Sequence, residues 1–225
     1  MKLLEAIQYR HSVRQYKTEE IDAKTVEKLQ NLIADCNAES GLNIQLILNE
    51  EKAFNSKMAH YGSFRNVRNY IALIGDKTLN LAETCGYYGE KIVLHAQKWG
   101  LNTCWVALTY NKKIQAYDVA DNEKVYCIIA IGYGENQGTP HKSKPLEKLY
   151  KAKRDIPDWF KNGVLAAQLA PTAINQQKFQ LILNDDNTVT AKTLLGFNTD
   201  LDLGIIKYHF EIGAGIENFT WKKSN

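Results

Sequence analysis

The sequence predicts an α+β protein in which one unit of helices and strands occurs twice along the chain, with antiparallel or mixed sheets flanked by helices. Three observations predict it. Segments with helical spacing of apolar residues alternate with short β-branched runs. One of those runs recurs, residue for residue, in the second half. The chain's 225 residues, 44% hydrophobic and 24% charged, can bury a full core, which argues against a disordered chain.

In chain order, Leu3, Leu4 and Ile7 predict a short N-terminal helix, and Val26, Leu29 and Ile33 give the i, i+3, i+7 spacing of a second one. Strands are expected at Ile44–Leu48, Tyr70–Ile74, Val125–Gly132 and Phe179–Leu183, each rich in branched residues and followed by Asn, Asp or Gly. Tyr88, Ile92, His95 and Trp99 share one face of a helix stopped by Gly100. Trp159, Phe160, Val164 and Leu169 mark another, ended by Pro171. Leu201, Ile205, Tyr208 and Ile212 mark a last one before Gly213. The stretch 134–155, with Gly138, Pro140, Pro145 and many Lys, is the best linker.

The repeat is carried by Gln45-Leu46-Ile47-Leu48-Asn49 and Gln180-Leu181-Ile182-Leu183-Asn184, identical over five positions. Each copy follows a helix, and each later carries a helix with Gly at both ends, Gly89 to Gly100 and Gly204 to Gly215. We therefore expect an internal pseudo-dimer of two halves, 1–140 and a shorter 141–225, sharing one core. A site at their interface would be built once, from unlike pieces.

The 28 Lys and Arg against 25 Asp and Glu give a net charge of +3, and the cations are scattered, so no nucleic-acid partner is expected. The strongest apolar run, Cys127–Ile131, is strand-sized, and Glu5 interrupts the N-terminus too early for a secretory core. A soluble, cytoplasmic protein without membrane association is the expectation. Cys36, Cys85, Cys104 and Cys127 lie far apart with no CxxC, which signals neither a metal site nor a redox pair but four reduced, buried thiols.

Three segments carry candidate chemistry. In an extended stretch Arg10, Ser12 and Arg14 point to one side, two cations flanking a hydroxyl, which suits a phosphate dianion. Alone, the motif is more commonly a solvated basic turn. His141-Lys142-Ser143-Lys144-Pro145-Leu146 could add positive charge to the same anion, although such a segment is most often an exposed loop. In the loop Ala170-Pro171-Thr172-Ala173-Ile174-Asn175-Gln176-Gln177, the amides of Asn175 and Gln177 suit an uncharged polyol or ring edge. At the repeat offset, Ser40, Leu42 and Cys36 stand where the second copy has Asn175, Gln177 and Pro171, so the first copy lacks this loop. The second half has no counterpart of Arg10–Arg14, so the sequence allows one composite site per chain. Gly132-Tyr133-Gly134 follows a strand, but the next glycine, Gly138, falls one residue too late for a dinucleotide fingerprint. His95, on an apolar helix face, reads as a core histidine.

Together with Gly100-Leu101-Asn102-Thr103-Cys104-Trp105-Val106 and Ile131-Gly132-Tyr133-Gly134, these segments resemble, in order and over essentially the whole chain, the FMN-dependent nitroreductases. The order is similar to the TM nitroreductase subgroup, in which two half-units are fused in one chain. The resemblance implies a nitroreductase-like fold and FMN as cofactor. Arg10, His11, Ser12 and Arg14 would hold its phosphate and ribityl chain, and Lys142 and Lys144 would close on the phosphate. It further implies that Pro171, Thr172, Ala173, Asn175 and Gln177 contribute from the second half. Trp105, Val106, Ala107 and Leu108 would lie along the isoalloxazine, with a backbone N–H aimed at its reactive edge, and Arg65 would lie on the pyrimidine side. The sequence departs from the family pattern at Gln177-Lys178-Phe179, usually Gln-Pro-Trp, and at Ala107 and Leu108, usually Gly-Gly, where added bulk would tighten the pocket.

The implied reaction passes electrons from NAD(P)H, a transient co-substrate, through the flavin to a small electron-poor acceptor such as a nitro compound or quinone. The chemistry is flavin-centred, with no catalytic side chain required. The alternatives are a flavin-holding regulatory protein without turnover, a deiodinase or flavin-fragmenting relative, and a duplicated scaffold without cofactor. Because each chain holds both halves, a monomer is expected, with a homodimer left open.

Overall fold

A computed structural model describes residues 1–55, 57, 61–77, 80–114 and 116–222. Five helices are described in it: α1 (Leu3–Tyr9), α2 (Ala23–Ser40), α3 (Leu81–Lys98), α4 (Asp158–Gln168) and α5 (Thr199–Ala214). The strands are β1 (Gln45–Ile47), β2 (Tyr70–Asp76), β3 (Asn102–Val106), β4 (Glu123–Gly132), β5 (Tyr150–Ala152), β6 (Phe179–Leu183), β7 (Thr188–Thr193) and β8 (Thr220–Trp221). They form two four-stranded sheets, one in the order β1-β2-β4-β3 and one in the order β5-β6-β7-β8. The fold is α+β, as the sequence predicts. None of the described helices is long and apolar enough to cross a membrane.

The chain divides into two compact units, Tyr9–Leu81 with Ile92–Pro140, and Met1–Gln8 with Ala82–Lys91 and His141–Asn225. In the first, the antiparallel unit, every strand pair is antiparallel. Its central strands β2 and β4 carry the continuous apolar runs Tyr70–Ile74 and Cys127–Ile131, because each is covered on both faces. Tyr16, Phe54, Phe64, Tyr70, Val106 and Ile128 belong to its core. Helix α2 starts where the Asp22 carboxylate accepts the Thr25 N–H at 3.0 Å. It stops at Gly41, whose φ of 72° suits a residue without Cβ. Its buried positions are Thr25, Leu29, Ile33 and Cys36, so Val26 lies beside that face and not at its centre.

In the second, the mixed unit, β6 and β7 form an antiparallel hairpin, flanked by β5 parallel to β6 and β8 parallel to β7. Helices α4 and α5 pack closely, since a Cβ on Gly163 would meet the Phe210 ring at 2.5 Å and one on Gly213 would meet the Asn162 carbonyl at 2.5 Å. Gly213 is therefore an interior packing residue. The helix continues through it to Ala214 and ends at Gly215, φ 77°, two residues beyond the stop that the sequence suggests. A ring cluster of Trp159, Phe160, Phe210, Phe219 and Trp221 fills this end of the core.

Two further expectations are corrected. The stretch 134–155 is not plain linker, because Tyr150–Ala152 adds a strand to the mixed sheet. His95 is only half-buried; the fully buried histidine is His209, whose Nδ1 lies 3.0 Å from the Ala166 carbonyl and Nε2 2.8 Å from Glu90. All four cysteines are buried and none forms a disulfide.

Candidate flavin-binding segments and family

In the antiparallel unit the segment 10–16 is extended and tied along its length. Ser12 bridges Thr103 of β3, where the Val13 N–H donates to the Thr103 carbonyl at 3.0 Å. Arg65 N–H donates to the Arg14 carbonyl and Tyr16 N–H to the Arg65 carbonyl, each at 3.0 Å. Val13 and Tyr16 are the buried anchors, and the Tyr16 hydroxyl donates to the Val13 carbonyl at 2.7 Å. Burial pushes the Tyr16 phenol well above its usual range, so it stays a neutral donor.

Between these anchors the side chains grade from inside to outside. Arg10 is 4% exposed, His11 and Ser12 are half-buried, and Arg14 is exposed. The charges of Arg10 and Arg14 and the Ser12 hydroxyl are felt at the Cys104 thiol beside Thr103. Burial raises that thiol's pKa, while the charges of Arg14 and Arg10 and a Ser12 hydrogen bond draw it back down. Gly138, φ 70°, allows its loop to lie against this segment, since a Cβ there would meet His11 Cβ at 2.8 Å and the Ser12 carbonyl at 3.0 Å.

Further along β3, Trp105 is half-buried and Val106 buried, paired with Ile129 and Ile128. Ala107 and Leu108 lie past the strand's end, Ala107 half-buried and Leu108 55% exposed. Arg65 is on the surface, in an ion pair with Glu135.

In the mixed unit Pro171, Thr172 and Ala173 are half-buried, Asn175 is exposed and Gln177 is buried. The loop is strained. Ile174 (φ 48°), Asn175 (φ 55°) and Gln177 (φ 46°) are all left-handed, and Ile174 is β-branched and 86% exposed. Hydrogen bonds hold it there. The Gln177 N–H donates to Thr172 Oγ1 at 3.1 Å, and the Gln177 and Asn175 amides donate to the Lys142 carbonyl at 2.9 and 3.0 Å. Lys144 Nζ donates to the carbonyls of Gln176 and Gln177 at 2.7 and 2.8 Å, and burial lowers its pKa. Lys142 is exposed. The structure thus brings Lys142, Lys144, Asn175 and Gln177 together within one unit. The segment 10–14, Arg65 and 105–108 belong to the other.

The sequence model of the family described as "Putative TM nitroreductase" matches residues 2–214. The chain belongs to this family. It is therefore a nitroreductase-type oxidoreductase by family. A solved structure of a "putative nitroreductase" from Thermotoga maritima is similar at TM-score 0.67, with 23% identity over 95% of this chain and 83% of that one. A nitroreductase family protein from Streptococcus pneumoniae aligns at TM-score 0.55, with 16% identity over 68% of this chain and all of that one, 100%. At such identities the likeness establishes the fold. No curated protein matches the chain.

Sequence reasoning missed several residues of this nitroreductase-family chain. Cys104, Thr103 and Tyr16 support the basic segment. Asp202 and Phe197 support the loop, with Asp202 accepting the Ala173 N–H at 2.9 Å and Phe197 hydrogen-bonded to Gln176. The signal for Asp202 was a second carboxylate in the first turn of a largely apolar helix, flanked by Leu201 and Leu203.

Proposed function

We propose that this protein is an FMN-dependent oxidoreductase that takes electrons from NAD(P)H and delivers them to a small electron-poor acceptor, of nitro or quinone type. The observation that carries the reading is the basic segment itself, one extended stretch with Arg10 buried, Ser12 half-buried and Arg14 exposed, two cations flanking a hydroxyl, a donor set that suits a phosphate monoester. In this reading Arg10, fixed by burial, supplies a rigid cation, and exposed Arg14 closes on the anion with His11 and Ser12 beside it. FMN, when bound, supplies the two-electron chemistry.

The chain's own residues bind, orient and exclude water. Asn175 and Gln177 offer amides to the polyol, with Pro171, Thr172 and Ala173 forming the loop's backbone. Trp105, Val106, Ala107 and Leu108 offer an apolar and backbone surface for a planar ring, and Arg65 contributes on its pyrimidine side. Lys144 holds the loop through two carbonyls, which leaves exposed Lys142 as the nearer candidate for phosphate. We further propose one FMN per chain, in a monomer.

The deciding experiment is the visible spectrum of purified protein, before and after anaerobic NADPH. Flavin absorbance that NADPH bleaches, and that a quinone restores, is expected. A protein without flavin absorbance that takes up no added FMN overturns the reading.

A further inference from the structure

We infer that Asp202 is a positioning residue for the ligand loop: its carboxylate bridges the Ala173 N–H and the Gln176 amide and so ties the strained Ala173–Gln177 backbone to the Phe197 turn. The inference rests on the reading that this loop meets FMN, and its geometry stands within the mixed unit alone.

Asp202 lies in the first turn of α5, 2% exposed. One oxygen accepts the Ala173 N–H at 2.9 Å and the other accepts the Gln176 Nε2 amide at 2.9 Å. A carboxylate only accepts, so the NH2 end of Gln176 must face it. The oxygen end then faces Phe197, accepting its N–H at 3.1 Å, while Nε2 also donates to the Phe197 carbonyl at 2.5 Å. One side chain thereby joins three pieces of chain, with a polarity that Asp202 and the Phe197 N–H and carbonyl fix together. Gly196 makes the approach possible, because a Cβ there would overlap the Gln176 amide oxygen.

What is held is costly to hold. Left-handed φ at Ile174, Asn175 and Gln177 persists only where surrounding contacts over-determine it. The device itself carries a further penalty, since desolvation pushes the Asp202 carboxyl up to about 6 against the opposing Gln176 and Ala173 hydrogen bonds. A buried carboxylate that disfavours folding yet secures a strained, exposed loop is the pattern of a residue retained for function.

The test uses Asp202→Asn. Asparagine keeps the size and one acceptor, but its NH2 group must meet either the Ala173 N–H or the Gln176 NH2, donor against donor. The double variant Asp202→Asn/Gln176→Glu reverses the polarity between residues 202 and 176 and keeps the acceptor for the Phe197 N–H, losing only the donor to the Phe197 carbonyl. In FMN-free protein, amide hydrogen exchange at Ala173 and Phe197 should speed up by about tenfold in the single variant, and the double variant should recover most of it. The Kd for FMN should rise by about tenfold, with the Tm of the FMN-free protein unchanged or higher. Unaltered exchange overturns the inference, as does weaker FMN binding that merely follows a fall in Tm. If the wild-type chain takes up no FMN, the functional reading fails separately, and exchange still decides whether Asp202 holds the loop.

Discussion

At the scale of single residues the basic segment makes the plainest prediction. Arg14 is exposed and its backbone, not its side chain, ties it to Arg65. Arg14→Ala should therefore leave the fold intact. It should weaken FMN by the worth of one charge-assisted contact, about 1.5–3 kcal/mol or roughly 10- to 100-fold in Kd. A fluorescence titration measures this, and an unchanged Kd removes Arg14 from the site. Asp202 predicts a pH dependence with a definite sign. Its carboxyl is raised from 3.8 to about 6 in the fold, so the folded state binds that proton more tightly than the unfolded chain. The stabilising contribution is complete below about pH 4 and is lost as pH rises through about 6. Relative to Asp202→Asn, the FMN-free wild type should lose on the order of 2–3 kcal/mol between about pH 4 and pH 7. Melts of both proteins at the two pH values test this, and a constant difference in Tm refutes it. The two sites were unequally legible for a physical reason. Arg10, Ser12 and Arg14 declare themselves through spacing within one extended segment, which is local information. Asp202 and Cys104 acquire their roles from partners 26 and about 90 residues away, Gln176 and the segment around Ser12, and no local pattern encodes such pairings.

Helices were more legible than strands, and the same distinction between local and long-range information explains it. The 3.6-residue spacing marks α2 and α3, and β6 begins at Phe179 and ends at Leu183 as its branched run predicts. β5 and β8 are three and two residues long and exist only through their parallel partners, so nothing in Tyr150-Lys151-Ala152 announces a strand. The glycines of α3 and α5 illustrate a further point. The helical pattern places them inside apolar helices, where each weakens the helix relative to alanine by about 1 kcal/mol. In the mixed unit the reason is a direct approach of backbones. A Cβ on Gly204 would overlap the Glu83 carbonyl, and one on Gly86 would overlap the Leu201 carbonyl. Helix propensity says that Gly204→Ala should stabilise the protein, whereas the contact says that it forces α3 and α5 apart. Backbone atoms cannot swing aside as side chains do, so contact prevails. Gly204→Ala is expected to destabilise by roughly 2–4 kcal/mol, separating it from Gly100→Ala. Gly100 has φ 83° and open space around its Cβ position, and its replacement should cost only about 1 kcal/mol. Urea unfolding of the two variants ranks them, and equal effects would show that the helices can separate freely.

At the scale of the whole molecule, the described elements after α1 run α2, β1, β2, α3, β3 and β4, then β5, α4, β6, β7, α5 and β8, so the order helix, strand, strand, helix, strand recurs once β4 and β5 are set aside. The shared Gln-Leu-Ile-Leu-Asn stretch begins β1 and runs through the end of β6, its Asn184 just past the strand, yet β1 is an edge strand and β6 a central one. Equal sequence has thus been fitted to unequal surroundings. The chemistry is unequal as well. Only the first copy is preceded by paired arginines, and only the second carries the amide loop, since Ser40 and Leu42 stand at the repeat positions of Asn175 and Gln177. If each copy held a flavin by itself, one would lack cations for the phosphate and the other would lack amides for the polyol. The expected stoichiometry is therefore one FMN per chain, whatever the number of chains in the assembly. Titration of FMN-free protein with absorbance read on the bound fraction measures it, and two equivalents per chain, or one per two chains, would contradict the assignment. The same titration has a thermodynamic counterpart. A ligand that binds only the folded chain stabilises it by RT ln(1 + [L]/Kd), about 2.7 kcal/mol at a free concentration of 100 Kd. Tm should accordingly climb with the logarithm of free FMN in wild type. Arg14→Ala and Asp202→Asn should shift that curve to higher FMN without changing its slope, because each alters Kd and not the number of sites. A changed slope would mean that more or fewer than one flavin accompanies folding.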